Sequence, residues 1–399
     1  MISYKEALSL IEQQTAAIPR KTEERLIDSA LGFILAADVF APIDSPPFDQ
    51  SAMDGFAISA LCSQSSCIIQ GSIQAGDTTE YSLKGVDHAF KIFTGAPIPK
   101  DANAVIIQEN TTQDATTVYF DTKDVIAGSN VRLRGSQIKK GALVAPMGTL
   151  LTPAVLSYLT SLGISNVKVV SKPRVSMLVT GKELMPIGHD LEFGQIYESN
   201  SLLLKLALSE GSLKASEIKF VGDDLAATTE AIKDMLIDCD VLLITGGISV
   251  GEYDLVRPAL EANDVSTIFY KIKQKPGKPL YFGRKDEKSV FALPGNPASV
   301  FVCFYEYVVP CLRMLAGLPF SPNHQMYLPL AHDYFKKGTF TNFLKAKIIN
   351  NEVNILEGQE SYKLHPFIET NALAILPEET NYLKSGELVC VHKISEYWT

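Results

Sequence analysis

Apolar residues recur in helical steps at the start of the chain, where Ala7, Leu8, Leu10 and Ile11 follow Ser3 and Glu6, a pair spaced as a capping box. A second short helix is expected from Glu23 to Ala30. From Pro42 to about Gly148 the pattern changes to short runs, CIIQGSI, HAFKIFTG, NAVIIQEN and TTVYFDT, broken by Gly, Asp, Asn and Pro. That texture predicts a β-rich domain. Thr152 as N-cap, Pro153 at the first helical position and Gly163 just past the end bound a helix over TPAVLSYLTSLG.

After Pro173 the period alternates: strand RVSMLVTG, helix SNSLLLKLALSEG, strand ASEIKFVGDD, helix AATTEAIKDMLID, strand DVLLITGG, helix EYDLVRPALEAN, strands IFYKIKQ and SVFALPG, then a long helix from Pro297. Alternation of this kind predicts a mostly parallel sheet covered on both faces. Beyond Pro319 only short strands remain, QMYLPLAH, FLKAKIIN, EVNILEG, LAILPE and LVCVHKI, which fit a small β-barrel or sandwich of roughly 80 residues. The reading is of a multidomain α/β plus β protein. A linker domain of helix and strand (22-40 and 142-172) carries an inserted β-rich domain (41-141). A mostly parallel α/β sheet domain takes 1-21 and 173-320, and a C-terminal small β-barrel domain takes 321-399.

Composition agrees with several ordinary globular cores: 399 residues, 46% apolar and 20% charged, exceed what one core holds. The net charge of −9 excludes a dedicated nucleic-acid binder, so an anionic ligand must be held by local groups. The cysteines at 62, 67, 239, 303, 311 and 390 form no C-x-x-C pair and have no histidines at zinc-finger spacing, which predicts reduced thiols. The start MISYKEALSLIEQQT lacks a basic segment with a cleavable apolar core, and no stretch offers about 18 uninterrupted apolar residues. A soluble, cytoplasmic protein without membrane partners is expected.

The candidate chemistry concentrates between Cys239 and Pro297, where three tight turns follow apolar runs. In ITGGISVGEYD, Gly246, Gly247 and Ser249 follow a buried strand and Asp254 lies one turn on. Such a loop either cradles an anion or is a tight strand-to-helix connection. GGISVG lacks the Lys-Ser/Thr of a P-loop and does not match G-x-G-x-x-G. In QKPGKP, Lys275 and Lys278 flank a Pro-Gly turn, placed to clamp one anion or simply solvated. LPGNP, with Pro294 and Pro297, is a rigid turn opening the long helix. TGKEL delivers Lys182 and Glu183 at the same edge, where a carboxylate could ligate Mg²⁺ or serve a helix start. Asp223 and Asp224 follow a neighbouring strand.

In the β-rich domain, PPFDQSAMDGFAI gathers Asp49, Ser51 and Asp54, and FTGAPIPKDANAVI supplies Thr94 and Gly95. Singly these are routine turn residues. No nucleophilic triad is visible, and the histidines at 88, 189, 324, 332, 365 and 392 form no metal-spaced pair.

Taken in order, PPFDQSAMDGFA, FTGAPIPKDANAVIIQE, VRLRGSQI, TGKEL, QIYESNSLLL, ITGGISVGEYD, QKPGKP and LPGNP resemble the motif set of the molybdopterin molybdenumtransferases, the MoeA and gephyrin E-domain family, over about residues 1 to 320. The resemblance implies an enzyme that takes adenylylated molybdopterin and molybdate, releases AMP with Mg²⁺ assistance, and leaves molybdenum cofactor. It implies a molybdopterin-binding type of α/β domain and an elongated homodimer, with the cleft shared between the β domain of one subunit and the α/β and C-terminal domains of the other. Molybdopterin adenylyltransferase and recipient molybdoenzymes are implied as possible further partners.

Carried over position by position, the resemblance makes Asp54, Thr94, Glu183 and Asp254 the catalytic set, with Glu183 and Asp254 toward Mg²⁺. Lys275 and Lys278 would hold phosphate or molybdate oxygens, and Gly246, Gly247 and Ser249 the terminal phosphate of the pterin. Pro294, Pro297 and Asp223 or Asp224 complete the substrate contacts. Asp54 and Thr94 would come from the partner subunit. The chain departs from the family pattern at Leu133, Gln137, Lys345 and the turn around His365, which bears on C-terminal substrate contact. Two rival expectations remain: a non-catalytic scaffold of the same fold, and an adenylyltransferase acting one step earlier.

Overall fold

The computed structural model describes residues 1–248, 254–321 and 325–398. The chain folds into two compact units. One comprises Met1–Glu23, Gly32–Ile34 and Val170–Thr399, the other Glu24–Leu31 and Leu35–Val169.

The unit built on Leu35–Val169 carries a six-stranded sheet. Its strands are β1 (Gly55–Ile58), β2 (Ser66–Ile73), β3 (His88–Ile92), β4 (Ala104–Ile107), β5 (Thr111–Gln113) and β6 (Thr117–Phe120), in the order β4-β1-β3-β2-β6-β5. The neighbouring strands β1 and β4 read GFAI and AVII rather than alternating because both of their faces are covered. Phe56, Ile58 and Ile106 pack on one side, and Ala57, Ile92 and Val105 on the other. The strand opens on Gly55 because the neighbouring backbone leaves no room for more: a Cβ there would lie 1.9 Å from the Ile106 carbonyl oxygen.

In the same unit the helix Pro153–Ser161 has the expected ends. Thr152 Oγ1 accepts the Val155 N–H at 3.3 Å. Past the last turn, Gly163 N–H bonds to Thr160 O at 2.9 Å and Ile164 N–H to Leu159 O at 3.2 Å, with Gly163 at φ +79. These paired bonds are the Schellman closure that a glycine permits. The second helix expected over Glu23–Ala30 does not form. Thr22–Leu26 is a strand and Ile27–Ser29 a 3₁₀ turn, and the Ile27 N–H is taken by Ser165 O at 3.0 Å, a long-range bond that overrides local helical preference.

The other unit holds a six-stranded sheet of β7 (Val175–Thr180), β8 (Ala215–Val221), β9 (Val241–Thr245), β10 (Ser266–Tyr270), β11 (Tyr281–Lys285) and β12 (Lys288–Leu293), in the order β8-β7-β9-β12-β11-β10. The first four in that order run parallel, and β11 and β10 join antiparallel. Strand β11 was not anticipated from LYFGRK. On one face Val241, Leu243, Phe291 and Leu293 meet the helices Tyr4–Ala16, Asn200–Glu210 and Pro297–Leu315. On the other, Leu242, Ile244, Val290 and Ala292 meet Leu225–Asp238 and Val256–Ala262.

Helix Pro297–Leu315 is long and apolar enough to cross a membrane, with mean hydropathy 1.4, yet 83% of that stretch is buried inside the protein. It loosens at Phe304–Val308 into a π-helical turn. The same unit continues into β13 (Gln325–Pro329), β14 (Thr341–Ile349), β15 (Glu352–Ile355), β16 (Ala372–Leu376) and β17 (Leu388–Lys393). β14 pairs with β15 and β16, β16 with β17, and β17 with β13. Past β13, a Leu330–Val353 bridge brings the pairing back to β15, around a core of Leu344, Ala346, Ala374 and Val391.

Candidate functional site

Three adjacent parallel strands stop in register, Val179 opposite Thr245 and Thr245 opposite Leu293. The loops that follow their carboxyl ends, at Gly181, Gly246 and Pro294, therefore lie side by side, the place where open α/β sheets bind ligands. They line a cleft of about 920 Å³ together with Glu183, Asp223, Gly247, Lys275, Lys278 and Pro297. The three tight turns read from the sequence thus converge on one hollow.

The paired glycines have a local cause. Gly246 (φ +85) passes so close to β7 that a Cβ would lie 2.2 Å from the Thr180 carbonyl oxygen. At Gly247 (φ +60) it would lie 2.8 Å from both Thr180 Oγ1 and Val256 Cγ2. Close packing of neighbouring strand ends is enough to demand both glycines, and their backbone faces the cleft as well. Ser249 lies outside the described residues.

The opposite wall was not legible from the motifs alone. The N-termini of Asn200–Glu210 and Pro297–Leu315 open on the cleft through Ser199, Asn200, Asn296 and Pro297, and neither N-cap makes a side-chain capping bond. Both starts are met from outside the helix instead: the Glu198 carboxylate, itself in the cleft wall, accepts the Ser201 N–H at 2.8 Å, and Ser361 O accepts the Ala298 N–H at 3.2 Å. Asn200 Nδ2 donates to Gly295 O at 2.8 Å, tying one helix start to the proline turn. Asn296 Nδ2 donates to Ser361 Oγ at 2.9 Å, bringing Ser361 and Tyr362 from the C-terminal part to the rim. Lys275 and Lys278 are exposed there, with Lys278 Nζ 5.8 Å from the Phe340 ring centre.

The acids separate by environment. Glu183 and Asp223 are exposed in the cleft wall. Asp224, weighed with Asp223 as a substrate contact, is instead consumed as a helix cap: its Oδ1 accepts the Ala227 N–H at 2.7 Å. Asp254 is not among the residues lining the cleft. It sits before Val256–Ala262, its Oδ1 3.4 Å from the Arg257 nitrogen, and burial pushes its pKa up. Among the described residues no three His, Cys, Asp or Glu side chains form a metal-binding group.

In the other unit, the loop PPFDQSAMDGFAI spends one polar residue on a distant segment and another on its own turn. Asp49 Oδ1 accepts the Arg134 N–H at 2.7 Å, and buried Ser51 donates to Met53 O at 2.6 Å. Asp54 remains exposed, and its Oδ1 accepts both the N–H and the hydroxyl of Thr94, at 2.7 and 2.8 Å. The Thr94 backbone bond first, and then its hydroxyl, hold the Asp54 carboxyl below the usual carboxylate range.

Three of the sequence departures acquire physical meaning. Lys345, expected to bear on substrate phosphate contact, is buried, and its Nζ donates to the carbonyls of Gly358 (2.7 Å), Glu360 (3.2 Å) and Lys363 (2.9 Å). It holds the loop that carries Ser361 and Tyr362. His365 opens a 3₁₀ turn, His365–Ile368, and Gln137 Oε1 accepts from Ser45 Oγ at 3.1 Å. Leu133 is exposed, and nothing in the structure explains its substitution.

Three family models cover most of the chain: the MoeA N-terminal region (domain I and II) over residues 2–163, a probable molybdopterin binding domain over 176–314, and the MoeA C-terminal region (domain IV) over 327–394. Molybdopterin molybdenumtransferase of Haemophilus influenzae is 32% identical over 402 residues, covering 98% of each chain. That of Staphylococcus epidermidis is 31% identical over 98% of this chain and 95% of its own. Two solved structures of the molybdopterin biosynthesis MoeA protein from Pyrococcus horikoshii superpose with TM-scores of 0.84 and 0.78. They are 30% and 28% identical and cover 98% of this chain and 99% and 100% of theirs. By full-length identity as well as fold, the chain belongs to the molybdopterin molybdenumtransferase family.

Proposed function

We propose that this cleft inserts molybdenum from molybdate into adenylylated molybdopterin, releasing AMP and leaving molybdenum cofactor. The observation that carries the reading is the meeting of Gly247, Glu183, Lys275 and Lys278 in one hollow outside the parallel strand ends. Both ligands of this reaction are anions, and a cleft with two exposed lysines suits them despite the net charge of −9.

In this reading Lys275 and Lys278 hold molybdate or phosphate oxygens, while Gly246, Gly247 and Ser249 cradle the terminal phosphate of the pterin. Pro294 and Pro297 keep the turn rigid at the start of the long helix. Glu183, which shares the cleft wall with Asp223, and Asp254, which lies outside that wall, are the proposed ligands of Mg²⁺. Glu183 stands exposed in the cleft wall, and this ion takes one or two carboxylates together with substrate phosphates. When bound it would neutralise charge on the adenylate phosphate. Asp54, held ionised by Thr94, is proposed to orient the attacking group from a second copy of the chain in a homodimer. The division into four domains, with a closed C-terminal barrel, and a cytoplasmic location belong to the same proposal.

The test is AMP release from adenylylated molybdopterin on addition of molybdate. Release that depends on molybdate and is abolished in Asp54→Ala supports the reading. Binding of the pterin with no AMP liberated would reduce the protein to a scaffold, and ATP consumption with unmodified molybdopterin would assign it the preceding adenylylation.

A further inference from the structure

The lysine turn rests on one buried side chain, Gln274. This residue is 1% exposed and sits beneath Lys275 and Lys278, which are both open to the cleft. Its Nε2 donates to Pro276 O at 2.9 Å and to Gly277 O at 3.4 Å, so one amide gathers the two inward carbonyls of the turn. Its Oε1 accepts from the hydroxyl of Tyr307, which is fully buried on the π-helical turn of Pro297–Leu315. The backbone fixes the same segment at both ends: Gln274 and Lys275 pair with Thr341 and Asn342 on β14, and Ile272 N–H bonds to Lys278 O at 2.9 Å.

The floor leaves no room for a side chain at the glycine of the turn. Gly277 lies at φ +89, and a Cβ there would come within 2.5 Å of Cys303 Sγ and 2.7 Å of Gln274 Nε2. Glutamine supplies two donors and an acceptor at this length. Methionine would fill the volume with neither, and glutamate would set a carboxylate against two carbonyl oxygens. With the amide removed, Pro276 O loses its donor and Gly277 O keeps only the Cys303 Sγ contact at 3.7 Å, so the turn that carries the two lysines loses its anchor. Preorganisation of this kind lowers the entropy lost on binding.

We propose that Gln274 is a positioning residue for oxyanion capture, setting Lys275 and Lys278 through the carbonyls of Pro276 and Gly277 while Tyr307 orients its amide. The inference rests on the reading of the two lysines as holders of molybdate or phosphate oxygens. It separates from a general packing role because the lysines bind the anion before and during the reaction alike. Their loss of registry therefore raises KM for molybdate and leaves kcat in place.

The experiment measures molybdate-dependent AMP release from adenylylated molybdopterin by Gln274→Met, Tyr307→Phe and Lys275→Ala, with the folded fraction of each taken from circular dichroism. Gln274→Met is expected to raise KM for molybdate about tenfold with kcat per folded molecule within about twofold of the parent, and Tyr307→Phe to move KM the same way by less. If Lys275→Ala raises KM for molybdate while Gln274→Met and Tyr307→Phe leave it unchanged, the role of Gln274 is overturned and the reading of the lysines stands. If Lys275→Ala leaves it unchanged, both fall. Should Gln274→Met fail to fold, Tyr307→Phe decides by the same KM criterion.

Discussion

Asp54 and Thr94 are joined twice through one oxygen, Oδ1 of the carboxylate accepting the backbone N–H at 2.7 Å and the hydroxyl at 2.8 Å. Both bonds favour the ionised acid and lower its pKa. Thr94→Val removes the hydroxyl donor and keeps the backbone one, so the pKa of Asp54 should rise without reaching the value of an isolated acid. An activity that needs Asp54 ionised is lost as pH falls through that pKa. The acid limb of the kcat profile in Thr94→Val should therefore shift toward neutral pH, while Asp54→Ala loses at least about a hundredfold in rate at every pH. A pH–rate series on the two variants checks both statements. An unmoved acid limb in Thr94→Val would show that the pair is a turn lock alone.

Gly246→Ala tests why the chain carries two glycines after β9. The added methyl would lie 2.2 Å from a backbone oxygen that belongs to a central strand and cannot move aside, at a φ of +85 that already disfavours alanine. A destabilisation of about 2–4 kcal/mol is expected. Gly188→Ala provides the comparison: its φ is +90, but nothing lies within 4 Å of the new methyl, so only the backbone strain of about 1 kcal/mol applies. Urea denaturation of the two variants separates close packing from dihedral strain.

Lys345→Met distinguishes a structural lysine from a substrate contact. Removing the ammonium leaves the carbonyls of Gly358 and Lys363 without their donor and Glu360 O with the Lys363 N–H alone, and should cost about 3 kcal/mol. If the residue touched substrate phosphate, the variant would instead fold normally and show a raised KM. Thermal melting with activity per folded molecule resolves the two.

The misreading of Lys345 marks where the sequence stops being informative. LKAKI gives its charge and its strand, but not that the side chain points into a loop that closes over it thirteen or more residues later. Glu23–Ala30 failed for the same reason, since Ser165 supplies the bond that breaks the helix. Pro153–Ser161 succeeded because Thr152 and Gly163 act on backbone groups within three or four residues. The site follows this division. Gly246, Gly247, Lys275, Lys278 and Pro294 stand in turns after apolar runs, so a common sheet edge could be inferred. Asn200 and Gln274 stand inside quoted motifs without any local sign of what they touch, and Ser361 and Tyr362 reach the cleft rim only through tertiary contacts. Strand β11 was hidden because GRKDEKS offers no favoured hairpin dipeptide, and Asp286 adopts φ +53 without a glycine.

Glu306 and His392 make stability depend on pH in two opposite ways. Glu306 is fully buried on the π-helical turn, where it accepts from Tyr4 at 2.8 Å and Tyr397 at 2.5 Å and lies 3.0 Å from His392 Nδ1. Burial alone would raise its pKa. The charge of His392 and the hydrogen bonds of His392, Tyr397 and Tyr4 outweigh it, and the pKa is lowered from 4.5. His392, which burial would push down, is held by the same carboxylate at about 9, above its ordinary 6.5. The histidine contribution is complete below about pH 6.5 and disappears as pH rises through 9, whereas the glutamate contribution is complete above about pH 4.5 and disappears as pH falls through its lowered folded value. Stability should be greatest between these two limits. From pH 6.5 to above 9 the histidine alone accounts for a loss on the order of 3 kcal/mol. Glu306→Gln removes the charge that holds the proton on His392, so the variant should be less stable at pH 6 and show a flat profile over the alkaline range. Urea midpoints at pH 6, 7.5 and 9 check this, and a wild-type midpoint that does not fall above pH 6.5 would mean that His392 is neutral in the folded protein.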